Sequence, residues 1–142
     1  MKLQDFDFRI WYDISECYVE NPYIASFHSA DKIIGGQVYH DFGKCPDFVD
    51  FDTDSLKIEL FSGCYDKNSK KIYVGDIVKT KSPYDCFLAK VSIHKEGTFY
   101  FEGKNGDYIG SLIYLVEDEG YDTEIIGNIH ENAELLNENK PS

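Results

Sequence analysis

Residues 62–78, S-G-C-Y-D-K-N-S-K-K-I-Y-V-G-D-I-V, alternate turn formers with strand formers and so read as two turns between short strands. Asp66-Lys67-Asn68-Ser69 has tight-loop composition, because Asp and Asn side chains bond their own backbone and Asn tolerates positive φ. Ile72-Tyr73 favours a strand start, Gly75-Asp76 supplies a second turn, and Ile77-Val78 launches the next strand. The stretch holds neither a nucleophile with a base nor a phosphate cradle. It specifies geometry.

The neighbouring sequence extends that pattern. Residues 56–61 alternate and run directly into the stretch. Residues 77–81 form a strand closed by Ser82-Pro83. Phe87, Ala89, Val91 and Ile93 then alternate with Leu88, Lys90, Ser92 and His94 before a turn at Glu96-Gly97. Residues 98–102 are the antiparallel partner, and residues 103–107 are a hairpin loop whose Asn105-Gly106 pair suits positive φ. Residues 109–116 are apolar and read as a strand in preference to a short helix. Residues 117–120 are an acidic loop, and residues 123–127 a last strand. Asn132 is the expected N-cap of a one- or two-turn helix containing Glu134, with Leu135 and Leu136 stapling it to the sheet.

Before residue 56 the signal weakens. Phe8, Ile10, Tyr12 and Ile14 share one face of a strand, with Arg9, Trp11 and Asp13 on the other. Ser15-Glu16 turns into a short partner at 17–19, which Asn21-Pro22 is expected to end. From residue 23 to 55 regularity is lowest. Gly35-Gly36 interrupts a possible strand over 32–40 as a bulge or hairpin tip, and residues 41–55 read as loop.

Composition agrees with strands. Eleven Tyr and ten Phe dominate an aromatic share of 15%, and both residues favour β-structure. At 142 residues the chain has the size of one domain with a real core. The expected class is mainly β, all-β or β-rich α+β. A small, partly open SH3-like barrel of about five strands occupies residues 62–136. Residues 1–61 add strands and loops, and residues 137–142 fray.

Charge limits the partners. Twenty-six Asp and Glu against 14 Lys and Arg give a formal −12, which repels nucleic acid and anionic membrane. Asp5 and Asp7 interrupt any signal-like N-terminal segment, and no apolar run approaches the ~20 residues of a membrane span. A cytoplasmic location follows as an expectation, with Cys17, Cys45, Cys64 and Cys86 as free thiols, none spaced as a zinc knuckle or C-x-x-C pair.

Candidate chemistry is sparse. Asp50, Asp52 and Asp54 have the spacing that opens an EF-hand loop. Ser55 stands where Gly is needed, however, and Phe61 where the bidentate Glu belongs. A solvated acidic loop over 47–54 is the preferred reading, as it is for 117–122. His28, His40, His94 and His130 form no ligand-spaced pair. Ser62-Gly63-Cys64 is no nucleophile elbow, and Cys64 reads as an apolar filler before a reactive thiol. No catalytic residue, cofactor or metal is expected. The aromatics offer one surface: Phe99 and Phe101 face one way and Tyr100 the other, and Trp11, Tyr18 and Tyr100 are candidates for a protein-contacting face.

Three stretches carry a resemblance. Phe8-Arg9-Ile10-Trp11 is similar to an opening F-R-x-W strand. Gly63, Asp66-Lys67-Asn68, Ile72-Tyr73 and Gly75-Asp76-Ile77-Val78 look like a central G-x-x-D-K-N-G-K-x-I-Y-E-G-D-I-V. Ile126-Gly127-Asn128-Ile129, with Glu131-Asn132 and Leu135-Leu136, is similar to a closing I-G-N-I-x-E-N-P-x-L-L. In this order, across nearly the whole chain, they resemble the YopX family of phage and prophage proteins. Ser69 replaces the family's Gly, Val74 its Glu and Ala133 its Pro. The resemblance implies a mainly β, phage-encoded protein in the bacterial host cytoplasm and transfers no catalytic residue. Its matched positions read as turn and strand-pairing sites. The expected function is a non-enzymatic protein–protein interaction module, its protein partner unidentified, that self-associates as a homo-oligomer. The alternatives are a nucleic-acid-associated or DNA-mimicking regulator and a small hydrolase.

Overall fold

The structure, a computed structural model, describes residues 2–26, 33–39, 46–51 and 55–137. The chain divides into two compact units, one formed by Asp7–Glu59 and the other by Leu60–Ser142 with Met1–Phe6.

In the first unit, β1 (Phe8–Tyr12) turns through Glu16, at φ 52, into β2 (Cys17–Tyr18), pairing Trp11 with Tyr18. Beyond them β3 (Glu20–Ser26), β4 (Ile33–Tyr39) and β5 (Pro46–Phe51) form a three-stranded antiparallel sheet in that order. The strand β6 (Leu56–Tyr65) begins beside β1, where Asp13 N–H donates to the Ser55 carbonyl at 2.9 Å. Ile10, Val19 and Ile34 make the core, with Phe8, Tyr12 and Leu56 packed on it. Full burial of each such side chain contributes about 1.5–3 kcal/mol.

Three expectations fail here. Asn21-Pro22 does not end a strand. Asn21 takes φ 49 and the β3 register slips between Glu20 and Tyr23, so Pro22 sits in a bulge that does not need its missing N–H. Gly35-Gly36 is neither bulge nor tip, because β4 pairs with β5 without a slip from Ile34↔Phe51 to Tyr39↔Pro46. The glycines are there for space. A Cβ on Gly35 would lie 2.2 Å from the Tyr23 ring, and one on Gly36 would lie 2.3 Å from Val19 Cγ1 and 3.1 Å from the Glu20 carbonyl. Thirdly, residues 46–51, read as loop, are the strand β5, while 41–45 and 52–54 lie outside the described residues.

The second unit is built as the alternation demands. After β6 come β7 (Lys71–Tyr73), β8 (Asp76–Lys81), β9 (Cys86–Ile93), β10 (Phe99–Glu102), β11 (Tyr108–Ser111) and β12 (Asp122–Asn128). Five of them form one antiparallel sheet in the order β11-β10-β9-β8-β12, curled as a half-barrel. Its concave face supplies Val78, Ala89, Val91 and Phe101, joined by Cys64, Ile72 and Leu112. Thr80 and Thr123 face each other across β8 and β12, their buried hydroxyls 3.2 Å apart, so two polar groups enter the core satisfied. The protein is mainly β, with a short C-terminal helix, α1 (Glu134–Asn137), lying against β9.

Residues 109–116 are a strand only to Ser111. The chain then winds into a helical turn of π type over Tyr114–Asp118, which also takes in Glu117 and Asp118 of the expected acidic loop. Gly110 explains the reversal: a Cβ there would meet Leu115 Cδ1 at 2.7 Å, so the absent side chain lets Leu115 fold back onto its own strand. Leu115 and Val116 thereby reach the core. Among the described residues no helix is long and apolar enough to cross a membrane.

Candidate functional site

The central motif closes a loop around one carboxylate. Asp66 is 5% exposed, and its Oδ1 accepts the backbone N–H groups of Asn68 and Lys70 at 2.8 and 2.9 Å. Its Oδ2 accepts the N–H of Ile125, on β12, at 3.1 Å. Burial would raise the Asp66 pKa, but these donors and the Lys70 charge outweigh it and hold the carboxyl below its ordinary range. Lys67 N–H donates to the Thr123 carbonyl at 2.8 Å, a second tie from loop to β12. Asn68 is exposed. Ser69 adopts φ 66, the left-handed conformation that a glycine takes without strain.

The second turn is equally constrained. Gly75 has φ 94, donates to Val91 O at 2.9 Å and accepts from Ile129 N at 2.9 Å. Asp76, 2% exposed, takes the Tyr73 N–H on Oδ2 at 2.8 Å. Ile72 and Ile77 are fully buried, Tyr73 is half-buried, and Gly63 sits at φ 88 beside open space.

The closing motif pairs with the central one. Asn128 lies opposite Asp76 and Gly127 opposite Ile77 on β12 and β8, just past a bulge after Ile125. Asn132, read as an N-cap, instead turns its Oδ1 back to accept Asn128 N–H at 3.1 Å. It crowds Gly127, where a Cβ would lie 2.5 Å from that oxygen. Leu135 is half-buried.

The opening motif lies in the other unit and organises a buried acid. Arg9 Nε donates to Glu59 Oε1 at 2.7 Å, Tyr18 OH donates to the same oxygen at 2.9 Å, and the guanidinium carbon sits 4.6 Å from the Tyr18 ring centre. Trp11 meets Tyr18 edge-on at 5.0 Å. Phe8 joins the core of this unit. Sequence reasoning missed Glu59. Simple alternation in 56–61 gives no hint that Ile58 is exposed and Glu59 buried. Arg9 in the opening motif was the available signal, since a buried carboxylate needs a charged partner.

The three aromatic candidates separate. Trp11 is only 5% exposed, so its ring is not on an open surface. Tyr18 is half-buried against Arg9 and Glu59. Tyr100 stands on the face of β10 opposite Phe99 and Phe101, both of which pack into the core. There His94 stacks on Tyr100 at 4.1 Å and 14°, and Tyr108 closes the group 5.4 Å from Tyr100. Tyr108 is 56% exposed. Glu102 sits beneath, taking Ser92 Oγ at 2.7 Å and lying 3.7 Å from Lys90 Nζ. Burial, and then the Glu102 carboxylate, raise the Tyr100 phenol above its ordinary value. The result is a pre-ordered aromatic platform with polar edges. Aromatic pairs of this kind contribute about 0.5–1.5 kcal/mol beyond their area.

Other candidates do not converge. Cys64 is buried with its thiol toward Glu117 at 3.7 Å; burial first, and then that carboxylate, push its pKa up to about 11. Cys17 is half-buried and Cys86 exposed. His130 N–H donates to Asn128 Oδ1 at 2.9 Å. Among the described residues no three His, Cys, Asp or Glu gather as a metal site. Cys45, His28, His40, Asp52 and Asp54 lie outside the described residues.

Among curated proteins none matches the sequence. The crystal structure of protein EF1440 from Enterococcus faecalis is similar, with a TM-score of 0.61, 22% identity, and coverage of 92% of this chain and 97% of that one. The X-ray structure of protein yopX from Bacillus subtilis matches with a TM-score of 0.61, 21% identity, and coverage of 91% and 96%. At these identities the likeness is one of fold. The family model described as YopX protein matches residues 7–137, which take in all three motifs, and the chain belongs to the YopX family.

Proposed function

We propose that this protein is a non-catalytic interaction module, encoded by a phage or prophage and working in the host cytoplasm, that associates with copies of itself through the face around Tyr100. The observation that carries the reading is the His94–Tyr100–Tyr108 stack, an ordered aromatic group at the surface of a chain of net charge −12. Tyr rings immobilised in advance bury large area at low entropic cost, which is why they are enriched at protein interfaces. The motif residues around Asp66, Gly75 and Gly127 serve in this reading as the frame that holds the sheet.

Sedimentation velocity from low to high micromolar concentration tests it. The expected result is a concentration-dependent rise in mass that Tyr100→Ala weakens. A clean monomer at high micromolar concentration sinks the reading. The charge supports a second reading, a regulator that mimics nucleic acid. It predicts displacement of DNA from a DNA-binding host protein, measurable in the same preparation.

A further inference from the structure

We propose that Asn105 is a site of spontaneous covalent modification: it deamidates through a succinimide, and the protein thereby acquires a second, more acidic form. In the first step the backbone nitrogen of Gly106 loses its proton and attacks Asn105 Cγ. A new N–C bond closes the ring, the Cγ–Nδ2 bond breaks, and the amide nitrogen takes up a proton and leaves as ammonia. Water, the only co-reactant, then opens the ring at either carbonyl and leaves aspartate or isoaspartate. The inference is independent of self-association.

The residue after the asparagine controls this reaction, because its side chain crowds the attacking nitrogen. Of the seven asparagines, Asn105 alone precedes a glycine. Residues 104–107 are exposed at the tip joining β10 to β11, so water reaches the ring. Chain neighbours aside, only Glu102 Oε2, at 3.7 Å, lies within 4 Å of where a Cβ on Gly106 would stand, so no packing holds the turn shut. One bond opposes the attack: Gly106 N–H donates to the Gly103 carbonyl at 3.0 Å. It belongs to an exposed turn, which opens at far lower cost than the sheet, so the fold slows the reaction without stopping it.

The other asparagines are protected, each by its own contact. Asn21 is followed by Pro22, whose nitrogen has no proton to lose. After Asn68, Ser69 donates its N–H to the Asp66 carbonyl at 2.9 Å, inside the loop that Asp66 ties to β12. Asn128 is held at both ends of its amide. Its Oδ1 accepts the N–H groups of His130 and Glu131 at 2.9 and 3.0 Å, and its Nδ2 donates to Glu131 Oε1 at 2.9 Å. The Ile129 N–H that would attack it is bonded to the Gly75 carbonyl at 2.9 Å. Asn132 Oδ1 holds the Asn128 N–H at 3.1 Å. Asn137 and Asn139 precede Glu138 and Lys140, whose side chains crowd the nitrogen.

Conversion adds one negative charge to the formal −12, and isoaspartate also adds a methylene to the backbone of the loop. That loop connects Glu102 to Tyr108, so the change falls at the border of the aromatic platform.

Incubation of the folded protein at about pH 8 and 37 °C, followed by ion-exchange chromatography, tests the site. A more acidic form should accumulate, and faster as pH is raised. Peptide mapping by mass spectrometry should place the conversion at Asn105 as two products of equal mass, aspartate and isoaspartate. Asn105→Gln, whose longer side chain closes a ring poorly, should slow the acidic form about tenfold or more, while Asn68→Gln leaves it unchanged. Circular dichroism checks that both variants fold; should Asn105→Gln not fold, the wild-type peptide map decides. Prior conversion at another asparagine, an acidic form undiminished in folded Asn105→Gln, or a wild type that keeps its amides over weeks overturns the proposal. Aspartate without isoaspartate means direct hydrolysis and overturns the succinimide route.

Discussion

Asp66 Oδ2 accepts the backbone N–H of Ile125 at 3.1 Å, joining residues 59 positions apart. The bond explains why a tight-loop motif identifies the whole fold. The loop is the clasp that fastens β12 where its register slips, between Ile125 and Gly127.

Asp66→Ala should therefore destabilise the protein by roughly 3 kcal/mol, because it strands buried donors that a charged acceptor satisfied. Asp66→Asn keeps one acceptor oxygen and should lose less. Urea denaturation of the three proteins gives the comparison; equal midpoints for wild type and Asp66→Ala would remove the clasp.

The same carboxylate makes stability depend on pH. Its folded pKa is held below the ordinary value of 3.8, so its contribution is complete above about pH 4–5 and is lost as pH falls through the folded pKa. Asp66→Asn should flatten the stability curve below about pH 4 relative to wild type and leave its shape near neutrality unchanged. Denaturation midpoints at a series of pH values check the sign.

Ser69 and Gly75 make opposite predictions from the same backbone region. Ser69 carries a Cβ at φ 66, so Ser69→Gly should stabilise by about 1 kcal/mol. Gly75, at φ 94 and buried, should lose about 3 kcal/mol or fail to fold as Gly75→Val. Thermal melts in opposite directions are expected. A folded Gly75→Val of wild-type stability would contradict this account of the turn.

Gly127→Ala should cost about 2 kcal/mol, since its Cβ would displace the Asn132 side chain from the Asn128 N–H. In an Asn132→Ala background the clash is reduced and the penalty should shrink. A double-mutant cycle measures that coupling; a coupling of zero would mean the two residues act independently.

The thiols should differ in reactivity. Cys64, buried and with its pKa pushed up to about 11, should resist iodoacetamide at pH 8, while the exposed Cys86 alkylates. Peptide mapping by mass spectrometry after brief labelling reads the order.

Local chemistry alone determined much of the second unit. Alternation placed Ala89, Val91 and Phe101 on one face, and turn residues marked Asp66–Ser69 and Gly75. Those features depend on neighbours in the chain, so a sequence displays them. Side-chain packing, both near and far along the chain, decided the rest. Gly35 and Gly36 are glycines because Tyr23 and Val19 press on them, and Asn132 gives up capping its helix to hold Asn128. Residues 109–116 leave the sheet at Ser111 because Leu115 has a glycine to fold onto, and Glu59 is buried because Arg9 and Tyr18 meet it there. Each of these choices sets a local backbone preference against a specific side-chain contact, some between near neighbours such as Asn128 and Asn132 and some between distant residues such as Arg9 and Glu59. The packing energy of that contact exceeds the propensity it overrides.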